Sequence, residues 1–106
     1  METALRAIGA PRRRQILRLV RDEELSAGEI ALHFDVTRPA VSQDLTLLKE
    51  AGLLVERRNG TRRFYRMRPE GLAELREYLD GFWGVRLDAL KQEAEREEKL
   101  TDGSND

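Results

Sequence analysis

The sequence predicts a mainly α-helical fold with one small β-hairpin, and three observations carry that expectation. Apolar residues recur at three- or four-residue spacing through most of the chain. One stretch, residues 53–67, changes period and brackets Asn59-Gly60, a pair suited to a tight hairpin turn. The breaks between apolar stripes fall at Pro11, Pro39, Gly52 and Pro69, residue types that start or stop helices.

Leu5 and Ile8 form the first stripe and Ile16, Leu17, Leu19 and Val20 the second, so two helices broken near Pro11 are expected. Ser26 and Glu29 have the spacing of a capping box, in which each side chain accepts from the other residue's backbone amide at a helix start. Ile30, Ala31 and Phe34 give that helix its apolar side. Only Asp35-Val36 separates it from Thr37, which can cap the next helix through the amide of Ala40, since Pro39 has no amide to offer. This helix should run from Arg38 to about Ala51, with Val41, Leu45 and Leu48 on one stripe and Gly52 as a left-handed stop. After the hairpin, Leu72, Leu75, Leu79, Phe82 or Trp83, Leu87 and Leu90 predict a last helix reaching about Lys99.

At 106 residues and 40% hydrophobic, the chain suits one domain, expected over residues 1–100, with a disordered polar tail at 101–106. Cysteine is absent, which excludes disulfides, thiolate metal sites and cysteine nucleophiles. No apolar run approaches the roughly 18 residues of a membrane span, and residues 1–9 lack a signal-peptide pattern, so a cytoplasmic protein without membrane contact is expected. The net charge of -1 conceals an asymmetry. Residues 1–68 hold 14 Lys and Arg against 9 Asp and Glu, whereas residues 69–106 hold 5 against 11. A basic first part suits a polyanion partner; an uneven but merely solvated surface is the plainer explanation.

Two short helices joined tightly, the second ending at glycine and leading into a basic hairpin, is the element order of a winged helix-turn-helix. In such a fold the second helix buries one side and offers the other to the DNA major groove. On a helical wheel Pro39, Ser42, Gln43 and Thr46 lie opposite Val41, Leu45 and Leu48. Gln43 can pair with adenine at two points, Ser42 and Thr46 can bond base edges or phosphates, and Ala40 offers a methyl near the helix start. Thr37 opens the same segment, and Arg38 and Lys49 suit phosphate. The hairpin carries Arg57, Arg58, Arg62, Arg63, Arg66 and Arg68, of which Arg62 and Arg63 lie nearest the tip and are assigned to the DNA backbone or minor groove. Most of the others should face water or polyanion as part of a wing on phosphate, with protection of an edge strand by positive charge as the plainer explanation.

The run Thr37-Arg38-Pro39-Ala40-Val41-Ser42-Gln43-Asp44-Leu45, continued by Leu48-Lys49-Glu50-Ala51-Gly52-Leu53, resembles the recognition-helix signature of ArsR-type repressors. Gly60-Thr61-Arg62-Arg63 with Tyr65 is similar to their wing, and Leu72 to Trp83 to the final helix of a cysteine-free subgroup lacking the metal-sensing site. The resemblance spans about residues 3 to 95. It implies a bacterial or archaeal homodimer that binds a partly palindromic operator in double-stranded DNA and represses transcription, often of its own gene. Asp44 departs from the many relatives with His at this position. The wheel sets it on the shoulder of the buried side, so a link to Arg13 or Arg14 is expected rather than a base contact.

Metal-sensing relatives use cysteines near the motif's first helix, or Asp and His on the last helix, and this chain has neither set. Its one histidine, His33, is expected at a helix surface or between helices, and no metal or cofactor is assigned. No glycine-rich phosphate loop or nucleophile set is present, so an enzyme is not expected. A winged-helix adaptor that binds an acidic protein is the alternative to a DNA-binding regulator, and an inducer bound at the dimer interface is a further possibility without a residue to identify it. The apolar surface of the last helix exceeds what one small domain needs. Leu5 and Ile8, with Leu72, Leu75, Leu79, Phe82, Trp83, Leu87 and Leu90, are therefore assigned to a two-fold interface; intramolecular packing of the same residues is the competing expectation. Trp83→Ala should weaken both self-association, read by sedimentation, and operator binding, and a monomeric wild type with intact tight binding refutes the interface.

Overall fold

The computed structural model describes residues 1–82 and Glu95. Its elements are α1 (Glu2–Ala7), α2 (Pro11–Leu19), β1 (Leu25–Ser26), α3 (Ala27–Ala31), α4 (Arg38–Glu50), β2 (Leu54–Asn59) and β3 (Arg62–Met67). A further helix, α5, covers residues 69–82. The chain divides into a unit of Met1–Leu75 and a unit of Arg76–Asp106. In the second unit, Tyr78 and Phe82 meet edge to face with ring centroids 5.1 Å apart. The architecture is the helical, winged helix-turn-helix type expected, apart from a shifted hairpin turn and a difference in strand number.

That difference is a third strand. The order is β1-β3-β2, all antiparallel, with Leu25 opposite Tyr65 and Ser26 opposite Phe64. A two-residue strand is too short to show a period, so only its pairing with β3 reveals it. The hairpin turn also shifts by one residue: Asn59 pairs with Arg62, leaving Gly60-Thr61 as the loop. Gly60 alone takes a positive φ, 65°, as a type II′ turn requires at its first loop position, whereas a type I′ turn needs positive φ at both.

The helix ends follow local chemistry. In the capping box, Ser26 Oγ accepts from the Glu29 amide and Glu29 from the Ser26 amide, each at 3.1 Å. Five residues are too few for a helix to stand on propensity, so this cap and the full burial of Ile30 hold α3 in place. Thr37 caps α4 through the Ala40 amide at 3.3 Å. At the other end Gly52, with φ 76°, donates to the Lys49 carbonyl, and Leu53 donates to that of Leu48. These two bonds form a Schellman motif that turns the chain directly into β2.

The core of the first unit gathers Ile16 from α2 and Val20 just after it, Ile30 from α3, Val41, Leu45 and Leu48 from α4, and Leu53, Leu54, Tyr65 and Leu75. Each aliphatic side chain of this size contributes about 1.5–3 kcal/mol on burial, which explains why three short helices and a small sheet hold together. Backbone bonds from Met67 to Val20 and from Arg68 to Leu53, both 2.9 Å, stitch the end of β3 to the helices.

Gly71 packs so close to the Gly52 carbonyl that a Cβ would lie 2.0 Å from its oxygen. Backbone on both sides leaves no side chain to yield, so α5 can begin here only with glycine. Gly71→Ala should cost about 1–3 kcal/mol, the usual penalty of overpacking, read as a lowered thermal midpoint; an unchanged midpoint would contradict this packing.

Candidate nucleic-acid interface

The two sides of α4 differ as its sequence dictates. Val41, Leu45 and Leu48 are buried, while Thr37, Arg38, Pro39, Ser42, Gln43, Thr46 and Lys49 are exposed and Ala40 is half-buried. The Thr46 hydroxyl donates to the Ser42 carbonyl at 3.1 Å, so its proton is already used and its lone pairs remain to accept. Ser42 and Gln43 carry no such internal bond.

Asp44 sits on the shoulder of α4, 2% exposed. Its carboxylate accepts from Arg12 Nε at 2.5 Å and lies 3.4 Å from Arg13 Nη1. Asp44 raises the pKa of Arg12 above the ordinary arginine value, mainly through that hydrogen bond. The partner expected as Arg13 or Arg14 is therefore Arg13, joined by Arg12. Arg14 instead donates to the Ile8 carbonyl at 2.8 Å. Arg13 also donates to the carbonyls of Ala7 and Arg6, at 2.7 and 3.0 Å, so cations of α2 satisfy the open end of α1.

A groove of about 310 Å³ opens between α3, the start of α4 and the hairpin, lined in part by Gly28, Arg38, Thr61, Arg62 and Arg63. It brings three expected DNA-contacting arginines from two elements to one place. Gly28 lies on the groove wall beside Arg38, where an added Cβ would make only ordinary contact, 3.8 Å from the guanidinium.

The wing arginines are less free than the sequence alone implies, because acids from other elements reach them. Arg57 forks onto the Glu24 carboxylate with contacts of 2.6 to 3.2 Å. Arg57 and Arg62 also stack on Phe64, at 4.8 and 4.9 Å from its centroid, and Arg62 lies 3.7 Å from Glu29. Arg68 donates to the Gly52 carbonyl at 3.3 Å. On the core-facing side of the ribbon, Glu56 takes Lys49 at 2.5 Å, with Arg63 at 3.5 Å and Arg58 at 3.7 Å. Lys49, expected to suit phosphate, is thus paired within the protein. Glu24 and Glu29 as partners of the wing had no local signal, being about 30 residues from it in sequence; Glu56 was visible as the acid inside the basic hairpin.

Of the residues assigned to a two-fold interface, Leu75 is only 4% exposed within the chain, Leu5, Ile8, Leu72 and Leu79 are half-buried, and Phe82 is 68% exposed. Trp83, Leu87 and Leu90 lie outside the described residues, as does the tail at 101–106. His33 is exposed just beyond α3. Among the described residues, no group of three or more His, Asp or Glu is placed to hold a metal ion, and no helix is long and apolar enough to cross a membrane.

Residues 10–55 match the family described as bacterial regulatory protein, arsR family. An HTH-type transcriptional regulator of Mycobacterium tuberculosis is 43% identical over 91 residues, covering 86% of this chain and 85% of that protein. The transcriptional repressor SdpR of Bacillus subtilis is 37% identical over 65 residues, 61% of this chain and 72% of its own. A solved structure described as a possible transcriptional regulator for arsenical resistance superposes with a TM-score of 0.73 at 40% identity, covering 86% of this chain and 95% of that one.

Three carboxyls in this region are held below the ordinary glutamate value of about 4.3: Glu24 chiefly by Arg57, Glu29 chiefly by the backbone amide of Ser26, and Glu56 chiefly by Lys49. A depressed folded pKa adds stability that is present above the unfolded value and lost as pH falls through the folded one. The unfolding free energy should therefore be level above about pH 5 and fall with acid below about pH 4. Chemical denaturation across this range reads it, and a free energy that rises on acidification contradicts these pairings.

Proposed function

The chain belongs to the ArsR family of bacterial regulatory proteins, which are DNA-binding transcriptional regulators and not enzymes, and on that premise we propose that it is a homodimeric repressor of a partly palindromic operator, its own gene's included. The observation that carries this reading is the exposed polar side of α4 beside a groove where Arg38, Arg62 and Arg63 converge. A helix of this kind fits the major groove, and a basic notch at its N-terminal end fits the adjoining phosphate strand. Ser42, Gln43 and Thr46 read base edges in this scheme. Thr37, Pro39 and Ala40 line the approach at the helix start, and Arg38, Arg62 and Arg63 hold phosphates. Lys49 contributes charge at the far end, tempered by Glu56.

Two-fold pairing through α1 and α5, with Leu5, Ile8, Leu72, Leu79 and Phe82 at the seam, would set two copies of α4 about 34–36 Å apart, one turn of duplex. Of the nine apolar residues first assigned there, Leu75 is already covered within its own chain and adds least to such a seam. In the first unit Leu5, Ile8 and Leu72 are half-buried, and in the second Leu79 is half-buried and Phe82 exposed, which supports apolar surface left for a partner on each. Repression as the direction of control is supported by the resemblance to the Bacillus subtilis repressor. No residue identifies an inducer.

Selection from a random-sequence pool followed by anisotropy titration tests the reading. Gln43→Ala should weaken binding by about 1–3 kcal/mol and relax preference at one base position per half-site. Reversing charge at both Arg62 and Arg63 should lower affinity for all duplexes and reduce the salt slope by about two. Unchanged duplex affinity in the second variant would overturn the proposal.

A further inference from the structure

We propose that Glu56 is a specificity-determining residue of the DNA contact: one buried carboxylate draws Lys49, Arg58 and Arg63 onto itself, lowering their hold on random duplex and fixing their arrangement for the cognate site. The inference rests on the DNA-binding reading above. Its basis is a single cluster. The Glu56 side chain is 8% exposed, and its Oε2 bonds Lys49 Nζ at the end of α4. Its Oε1 lies 3.7 Å from Arg58 on its own strand and 3.5 Å from Arg63 on the next. That oxygen is buried and makes no hydrogen bond, so guanidinium charge rather than a formed bond is what balances it.

Stability alone is a weak reason for such a residue. Burying a carboxylate costs several kcal/mol before its pairs repay anything, and an apolar side chain at such a site is often as stable. Position supplies a better one. Glu56 stands opposite Tyr65 in the ladder and Leu54 precedes it on the same side of the strand, so the carboxylate sits where the ribbon meets α4. It thereby ties the end of the base-reading helix to both strands of the wing. Three cations share one anion, leaving a surplus of two positive charges instead of three. Random duplex attracts a protein almost wholly through such charge. A fixed internal anion therefore penalises the random complex in full. In the cognate complex the penalty is offset, because Lys49 and Arg63 are already held in a fixed relation to α4.

The test compares wild type, E56Q, E56D and E23Q, each as the full chain, on a selected duplex and on random duplex over a range of salt. Glu23 is exposed and belongs to no ion pair in this cluster, so its change controls for net charge. E56Q should tighten random-duplex binding roughly two- to fivefold, the scale of one exposed ion pair, and steepen its salt slope by up to about 0.9. Affinity for the selected duplex should change less than twofold, so the ratio of the two falls. E56D keeps the charge and should hold the wild-type ratio, a reading that does not depend on whether E56Q folds. The inference is overturned if E56Q leaves the ratio unchanged, if E23Q lowers it equally, or if E56D lowers it as E56Q does. A wild type without any preference for the selected duplex overturns this inference and the DNA-binding reading together, whereas a discriminating wild type with an indifferent E56Q overturns this one alone.

Discussion

The orientation of α4 depends on one buried carboxylate. Asp44 projects from the shoulder of that helix into contact with Arg12 and Arg13 of α2, and Arg13 in turn holds the last carbonyls of α1. A stripe of Val41, Leu45 and Leu48 fixes which side of α4 is buried, but aliphatic contacts tolerate some rotation about the helix axis. Directional, charge-assisted bonds tolerate much less. Because Ser42 and Gln43 immediately precede Asp44 on the same helix, fixing its roll also fixes theirs. The same arginine pair joins α1 to the helix that faces outward, so any load on α1 reaches α4 through polar contacts and not through packing alone.

A second theme is charge held in reserve. The wing is rich in arginine, yet Glu24, Glu29 and Glu56 each approach at least one of its guanidinium groups. The acids come from three places: the turn before β1, the first turn of α3 and the ribbon itself. Exposed pairs such as Arg57 with Glu24 add little stability at ordinary ionic strength. Their larger consequence is to order long side chains that would otherwise sample many rotamers. Phe64 assists by offering its ring to Arg57 and Arg62, and the second of these lines the groove with Arg38.

Close backbone approaches determine how the elements connect. The Schellman bonds at Gly52 turn the chain into β2 within two residues, and the same Gly52 carbonyl receives Arg68 and abuts Gly71 at the start of α5. One carbonyl thus marks where α4 ends, where the ribbon begins and where the last helix departs. That economy explains how a winged motif fits within the first 75 residues.

Much of this was legible from local chemistry. Caps at Ser26 and Thr37, the stop at Gly52, the α4 stripe and the basic hairpin are each set by residues within a few positions of one another, and nearest-neighbour sterics and hydrogen bonding decide them. Tertiary structure alone decided the rest. The strand at Leu25–Ser26 exists only because β3 pairs with it, and the one-residue shift of the turn comes from the register of the two ribbon strands. Arg12 joining Arg13 on Asp44, Lys49 on Glu56 and Glu24 on Arg57 likewise depend on which surfaces meet. A sequence states what each residue can bond over a turn of helix; long-range partners are chosen by packing, which brings together charges that the chain keeps far apart.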